Sequence, residues 1–204
     1  MTPETFRAAA GVSRETTARL AAYAALLGRW QRRINLVGAA TLADVWRRHM
    51  LDSAQLRPYV PRACRRLVDL GSGAGFPGLV LAILGVEGVE LVESDGRKCA
   101  FLAEAARETG ARVVIHHQRI EAMPSIPADV ITARACAPLP KLLDYAAQFL
   151  TCETSCLFLK GARVDEELTQ AAKKWKMRVA GFPSRTDPSG VVLHIQGISR
   201  DPQR

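Results

Sequence analysis

Leu67-Val68-Asp69-Leu70-Gly71-Ser72-Gly73-Ala74-Gly75-Phe76-Pro77-Gly78 decides the fold of this chain. A short apolar strand runs into a cluster of glycines, and a helical stretch follows over about residues 77–84. Glycines suit such a turn because they take positive φ without steric cost and let a ligand approach the backbone closely. In open α/β sheets the ligand lies beyond the carboxyl ends of the strands, at the switch point beside the first strand. Gly71, Gly73 and Gly75 are therefore candidate ligand contacts. A dinucleotide fingerprint would need a further glycine at position 76, where Phe76 stands.

Outward from the loop, residues 89–92, 113–115, 129–132 and 156–159 read as further strands. Helices are expected at 97–109, ended by Gly110, at 141–150, and, with many charges, at 165–176. Residues 178–182 and 191–198 read as two last strands, antiparallel because a short loop joins them. Residues 199–204 are expected to fray. Strands alternating with helices give an α/β fold with a doubly wound, Rossmann-like sheet. Upstream, 13–34 reads as an amphipathic helix on Leu20, Ala24, Leu27, Trp30 and Ile34. Thr41 with Asp44 resembles a capping box opening a second helix, with Leu42, Val45, Trp46 and Leu56 on its apolar face. Pro58 and Pro61 end it.

The net charge of +8 lies wholly in residues 1–66, where twelve arginines face only Glu4, Glu15, Asp44 and Asp52. Residues 67–204 are balanced. A cationic extension on a neutral domain suits a polyanionic partner, because neutralising phosphates releases counterions. Arg29, Arg32, Arg33, Arg47 and Arg48 are the candidate contacts to a nucleic acid; a merely solvated arginine-rich face is the plainer alternative. The five cysteines are scattered, and Cys152 with Cys156 lacks the second pair of a structural zinc site. They read as reduced thiols in a cytoplasmic protein. Apolar runs fall far short of the ~20 residues that cross a bilayer, and no secretory signal is evident.

Two acids sharpen the loop's ligand. Glu93 ends the second strand, where a carboxylate can accept both hydroxyls of a ribose. Glu121, after Ile120, follows the third strand, where an adenine edge would lie. The loop reads D-x-G-x-G-x-G, the class I methyltransferase pattern, and a nucleoside ligand without a pyrophosphate clamp fits S-adenosyl-L-methionine better than NAD. Residues 132–138 lack the polar-Pro-Pro-aromatic motif of exocyclic amine methylation. Cys136 has no companion supporting a nucleophile for pyrimidine C5 chemistry. An acceptor with its own lone pair, such as guanine N7, would need neither. Arg134, at the mouth of the fourth strand, could pair with Glu121, meet the donor's carboxylate or touch the target nucleotide. His49 and Asp52 share a helix face, without a third metal ligand; His116-His117 has no assigned role. No residue is assigned a catalytic role.

Arg48-His49-Met50-Leu51-Asp52-Ser53, the loop through Gly78, Arg134-Ala135 and Leu159-Lys160-Gly161 together resemble the RsmG (GidB) family of bacterial 16S rRNA guanine-N7 methyltransferases. Asn35-Leu36 and Glu166-Glu167-Leu168 match as well, so the resemblance spans about residues 15–197. It implies a class I S-adenosylmethionine-dependent methyltransferase: a methyltransferase domain at 67–204 behind a basic N-terminal helical extension at 1–66. It further implies methylation of one guanine in a decoding-region loop, with 16S rRNA or the small ribosomal subunit as partner; a monomer is expected, and neither a metal nor a membrane. By position it places cofactor contacts on Gly71, Phe76, Ile120, Glu121 and Arg134, with Phe76 acting through its backbone. Cys136 replaces a plain apolar residue, and the final strand has fewer basic neighbours than the family pattern. A methyltransferase acting on a protein or small metabolite, and a non-catalytic RNA-binding module, stand as alternatives.

Overall fold

The computed structural model describes residues 1–201. The N-terminal third is helical. It holds α1 (Pro3–Ala10), α2 (Arg14–Gln31), α3 (Ala39–Leu42), a π-helical turn (Trp46–Leu51) and α4 (Asp52–Ala54). Helix α1 was not anticipated; Thr2 caps it by accepting from the Thr5 amide, and Gly11 closes it at φ +63°. Ser13 caps α2 in the same way, through the Thr16 amide at 3.0 Å. The buried stripe of α2 is Leu20, Tyr23, Leu26 and Leu27.

The single second helix expected from Thr41 is instead broken into α3, the π turn and α4. Thr41 cannot cap it, because its hydroxyl donates to the Gly38 carbonyl at 2.8 Å from inside α3. Asp44 is drawn away by Arg47 Nε at 2.8 Å and by the N-terminal amine at 3.2 Å.

The sheet contains β1 (Leu67–Leu70), β2 (Val89–Glu93), β3 (Val113–His117), β4 (Val130–Arg134), β5 (Ser155–Lys160), β6 (Trp175–Pro183) and β7 (Val191–Arg200). Between them run α5 (Gly78–Ile83), α6 (Gly96–Thr109), α7 (Leu139–Ala146) and α8 (Val164–Ala171). The order is β3-β2-β1-β4-β5-β7-β6, with β1 to β5 parallel and β7 antiparallel to both neighbours. The doubly wound α/β sheet is as expected. The charged helix is shorter than expected: α8 stops at Ala171, and buried Trp175 opens β6. Nor does the chain fray at 199, since Ser199 and Arg200 pair with Lys176 and Trp175. Residues 202–204 lie outside the described residues.

Alternate residues of each strand feed opposite faces. Leu67, Leu91 and Val130 join one core cluster, and Val68, Val92 and Ile131 the other. The first cluster also contains Phe6, Leu20, Tyr23 and Met50. The helical third is thus seated on the sheet through a shared apolar core, reinforced where Arg19 Nε donates to the Thr109 carbonyl at 2.6 Å.

Candidate active site

The carboxyl ends of β1, β4 and β5 open into a cavity of about 870 Å³. Its position follows from the topology: β2 and β4 flank β1 on opposite sides, so the loops leaving β1 and β4 diverge and leave a crevice. The glycine loop forms one wall. Gly71, Gly73 and Gly75 have φ of 63°, 57° and 88°. They are not equivalent. A Cβ on Gly73 would meet nothing closer than the Gly71 carbonyl at 3.8 Å, and Gly71 and Gly73 both line the cavity. A Cβ on Gly75 would lie 2.8 Å from Leu79 Cβ and 2.9 Å from the Tyr23 hydroxyl. That glycine permits close packing behind the loop.

Glu93 is almost fully buried at the same wall. Its carboxylate accepts from the Gly73 amide at 2.9 Å and from the Ser94 and Asp95 amides at 2.8 Å each. It therefore fixes the loop before any ligand arrives. From behind, the buried Tyr23 hydroxyl donates to the Ala74 carbonyl. Beneath the loop, Asp69 accepts from Thr132 Oγ1 at 2.6 Å, while its Oδ2 is buried without a hydrogen-bond partner among the described residues. Burial pushes this carboxyl up to about 6, against the lowering effect of the Thr132 bond.

Phe76 is 3% exposed, and its ring is the centre of a stack. Tyr23 lies 5.3 Å away, His49 stacks at 4.9 Å, and the Arg134 guanidinium lies 4.9 Å from the ring centroid. Arg134 does not pair with Glu121. Its Nη1 donates to the Arg48 carbonyl at 3.0 Å and to Asp52 at 3.3 Å, and its Nη2 donates to His49 Nδ1 at 2.8 Å. All three acceptors come from the π turn and the first residue after it. The sequence Arg48-His49-x-x-Asp52 is thus a cradle for an arginine 82 to 86 residues further along the chain. Three bonds leave two of the five guanidinium N–H donors without a protein partner among the described residues.

The loop between β6 and β7 closes the far side. Thr186 donates to Asp52 at 2.6 Å, and Arg48 pairs with Asp187 at 2.9 Å. Arg48 holds the Asp187 carboxyl well down, to about 2. At the end of β5, Lys160 pairs with Glu167 at 2.6 Å and donates to the Ala137 carbonyl at 3.1 Å. Cys136 also lines the cavity, but burial and the surrounding carboxylates push its thiol up to about 11, so it is a protonated thiol.

The remaining expected residues are spread more widely. Ile120 is buried and Glu121 exposed on a 3₁₀ turn, and neither lines the cavity as it stands. Arg29 is paired with Glu108 at 3.1 Å and Arg47 with Asp44. Arg32 and Arg33 are exposed and have no ion pair among the described residues. Of the five arginines singled out, Arg48 alone lines the cavity. Sequence reasoning missed Lys98, Thr186 and Asp187, which do line it. The 184–190 loop reads as an ordinary polar turn with Pro188 and Gly190, and nothing in its pattern marks it as cavity wall.

Residues 16–186 match the GidB family, described as rRNA small subunit methyltransferase G. The ribosomal RNA small subunit methyltransferase G of Rhodospirillum rubrum is 60% identical over 98% of this chain and 100% of its own length. That of Paramagnetospirillum magneticum is 56% identical over 98% of each. Solved structures with similar folds include the ribosomal protein L11 methylase of Lactobacillus delbrueckii, with a TM-score of 0.59, 16% identity, and coverage of 74% and 77% of the two chains. A TehB-like SAM-dependent methyltransferase of Corynebacterium glutamicum gives 0.58 at 16% identity, covering 87% and 99%. The class I methyltransferase fold expected from the glycine loop is the fold observed.

Proposed function

The chain belongs to the GidB family, rRNA small subunit methyltransferase G, and on that premise we propose that it transfers a methyl group from S-adenosyl-L-methionine to N7 of one guanine in a decoding-region loop of 16S rRNA. One observation carries the choice of acceptor: every imidazole and carboxylate lining the cavity is already committed to a protein partner. His49 and Asp52 hold Arg134. Glu93 holds three backbone amides, Glu167 holds Lys160 and Asp187 holds Arg48. The Cys136 thiol is protonated. Among the described residues the wall thus presents no free imidazole or carboxylate, and guanine N7 needs no general base, because its lone pair is free.

The residues present fit the donor. Gly71 and Gly73 line the cavity, Gly73 with open space where a side chain would stand, and Glu93 presents a carboxylate at the end of β2. Bound there, S-adenosyl-L-methionine would supply an electrophilic methyl carbon. This chain's contribution is placement and exclusion of water. Gly71, Gly73, Phe76 and Glu93 would set the donor, with Ile120 and Glu121 at its adenine end, as the family resemblance implies. The uncommitted donors of Arg134 would meet the donor or the target base. Arg32 and Arg33, with Lys98 and Arg163 at the cavity, would take RNA phosphates, the guanine being splayed from its loop. Working on small subunits or their rRNA places the enzyme in the cytoplasm.

The test uses methyl-labelled donor with small subunits, and separately naked 16S rRNA, from cells lacking this activity. Label recovered in N7-methylguanosine is expected. Label only on protein or metabolites, or donor binding without turnover, would refute the reading.

A further inference from the structure

We propose that His49 is a positioning residue held as its neutral Nε2–H tautomer, a single side chain that sets the Arg134 guanidinium in the cavity and ties it to the 38–41 segment that also lines it. The inference rests on the reading of this cavity as the methyl-transfer site. It follows from donor and acceptor logic at three linked contacts. Arg134 has only N–H donors, so at 2.8 Å from Nη2 the Nδ1 atom of His49 must be the acceptor and carry no proton. In a neutral imidazole the proton then resides on Nε2. That atom lies 2.8 Å from Thr41 Oγ1, so Nε2–H donates to the hydroxyl. The hydroxyl in turn donates its O–H to the Gly38 carbonyl at 2.8 Å. Every atom in the chain has one permitted role, and the direction is fixed from Arg134 outward.

The two ends of this chain line the cavity from different parts of the sequence. Arg134 leaves the sheet at the end of β4, whereas Gly38 and Thr41 belong to the segment that covers it from the helical third. That segment is otherwise pinned by Gln31, which accepts from the Leu36 and Val37 amides and donates to the Val37 carbonyl. The ring of His49 is clamped as well, stacked on Phe76. A proton on Nδ1 would place an imidazolium against Arg134, with Arg48 close by and Asp44 the carboxylate that favours the charge. Burial and the two arginines win, and the imidazole is held down to about 3.

The tautomer is read by ¹⁵N NMR of full-length, histidine-labelled protein without donor. One bare and one protonated ring nitrogen at His49, unchanged between pH 5 and pH 8, is expected. A His49 that titrates there in the unaltered protein, or that carries its proton on Nδ1, overturns the proposal. The functional arm compares His49→Asn, whose Oδ1 can still accept from Arg134, with His49→Leu, which cannot. Donor affinity within about threefold of the unaltered protein is expected for Asn, and a loss of at least tenfold for Leu, at similar melting temperatures. Equal affinity in Leu overturns the positioning role, as does an equal loss in both. Failure of the unaltered protein to bind donor would instead refute the site reading, while the tautomer would still be decided.

Discussion

Replacing Gly73 with alanine separates the cost of folding the glycine loop from the cost of filling its ligand space. Gly73 has a φ of 57°, where an L residue is strained by roughly 1–2 kcal/mol. The added Cβ meets no atom closer than 3.8 Å, so no packing penalty is added. For a chain of this length that strain lowers the melting temperature by roughly 2–8 °C, leaving the protein folded at 25 °C. The methyl group stands at the cavity wall, beside the amide that Glu93 holds. Donor affinity measured by titration calorimetry should fall at least tenfold, and Gly73→Val, with a branched side chain, should abolish it. Gly78→Ala is the control. Its Cβ would lie 2.5 Å from Leu91 Cδ2 and 2.7 Å from Asp69 Cβ. Overpacking there costs roughly 1–3 kcal/mol or more, so stability is lost through the core. If Gly73→Ala is folded and binds donor as tightly as the unaltered protein, the donor does not lie over this loop.

Four further outcomes are expected. The carboxyl of Asp69 sits near its ordinary value in the unfolded chain and near 6 in the fold, so the fold binds its proton more tightly. Stability from this group is full below about pH 4 and declines by roughly 3 kcal/mol as pH rises to about 6. Asp69→Asn should remove that decline, gaining on the unaltered protein across the window in urea midpoints; parallel curves would refute it. Cys136→Ala should be tolerated, whereas Cys136→Leu should block donor binding, since the sulfur already lies 2.6 Å from where a Gly71 Cβ would stand. With its thiol near 11, Cys136 should also alkylate far more slowly at pH 8 than exposed Cys152, read by peptide mass spectrometry. Finally, Arg32→Gln and Arg33→Gln should each reduce the log–log salt slope of rRNA binding by about 0.7–1, and Arg47→Gln by less; equal effects from all three would refute the assignment.

The sheet was legible because its signals are local. Short, mostly apolar stretches such as 67–70 and 156–159 read as buried strands once glycines and helices punctuate them, and the spacing at Phe76 excludes a dinucleotide loop without reference to anything distant. The second helix was misread because its capping signal is also local but is overruled. Thr41 and Asp44 have the right spacing, yet the hydroxyl is taken by Gly38 and His49 and the carboxylate by Arg47 and the N-terminus. The role of Arg48-His49-x-x-Asp52 was illegible for the opposite reason. Its three acceptors have meaning only when a π turn presents them together to Arg134, and neither the turn nor the pairing leaves a periodicity to read.

Charge shows the same division between local and distant. Counted along the chain, the helical third carries the whole excess and looks like a uniformly attractive arm for RNA. In the fold, several of those arginines spend their charge on acids of the sheet domain: Arg29 on Glu108, Arg48 on Asp187 and Arg66 on Glu90. A paired guanidinium contributes little field beyond a Debye length and gives up a bond before it can take a phosphate. The cations free to meet RNA are therefore fewer than the composition suggests, and they are not confined to the first 66 residues. Arg32 and Arg33 follow α2 on the helical side, while Lys98 and Arg163 lie at the cavity, on α6 and just before α8. If Arg32, Arg33, Lys98 and Arg163 all take phosphates, the RNA would be held both on the helical side and at the cavity, as is required if the nucleotide to be methylated must be gripped by its phosphates while its base enters.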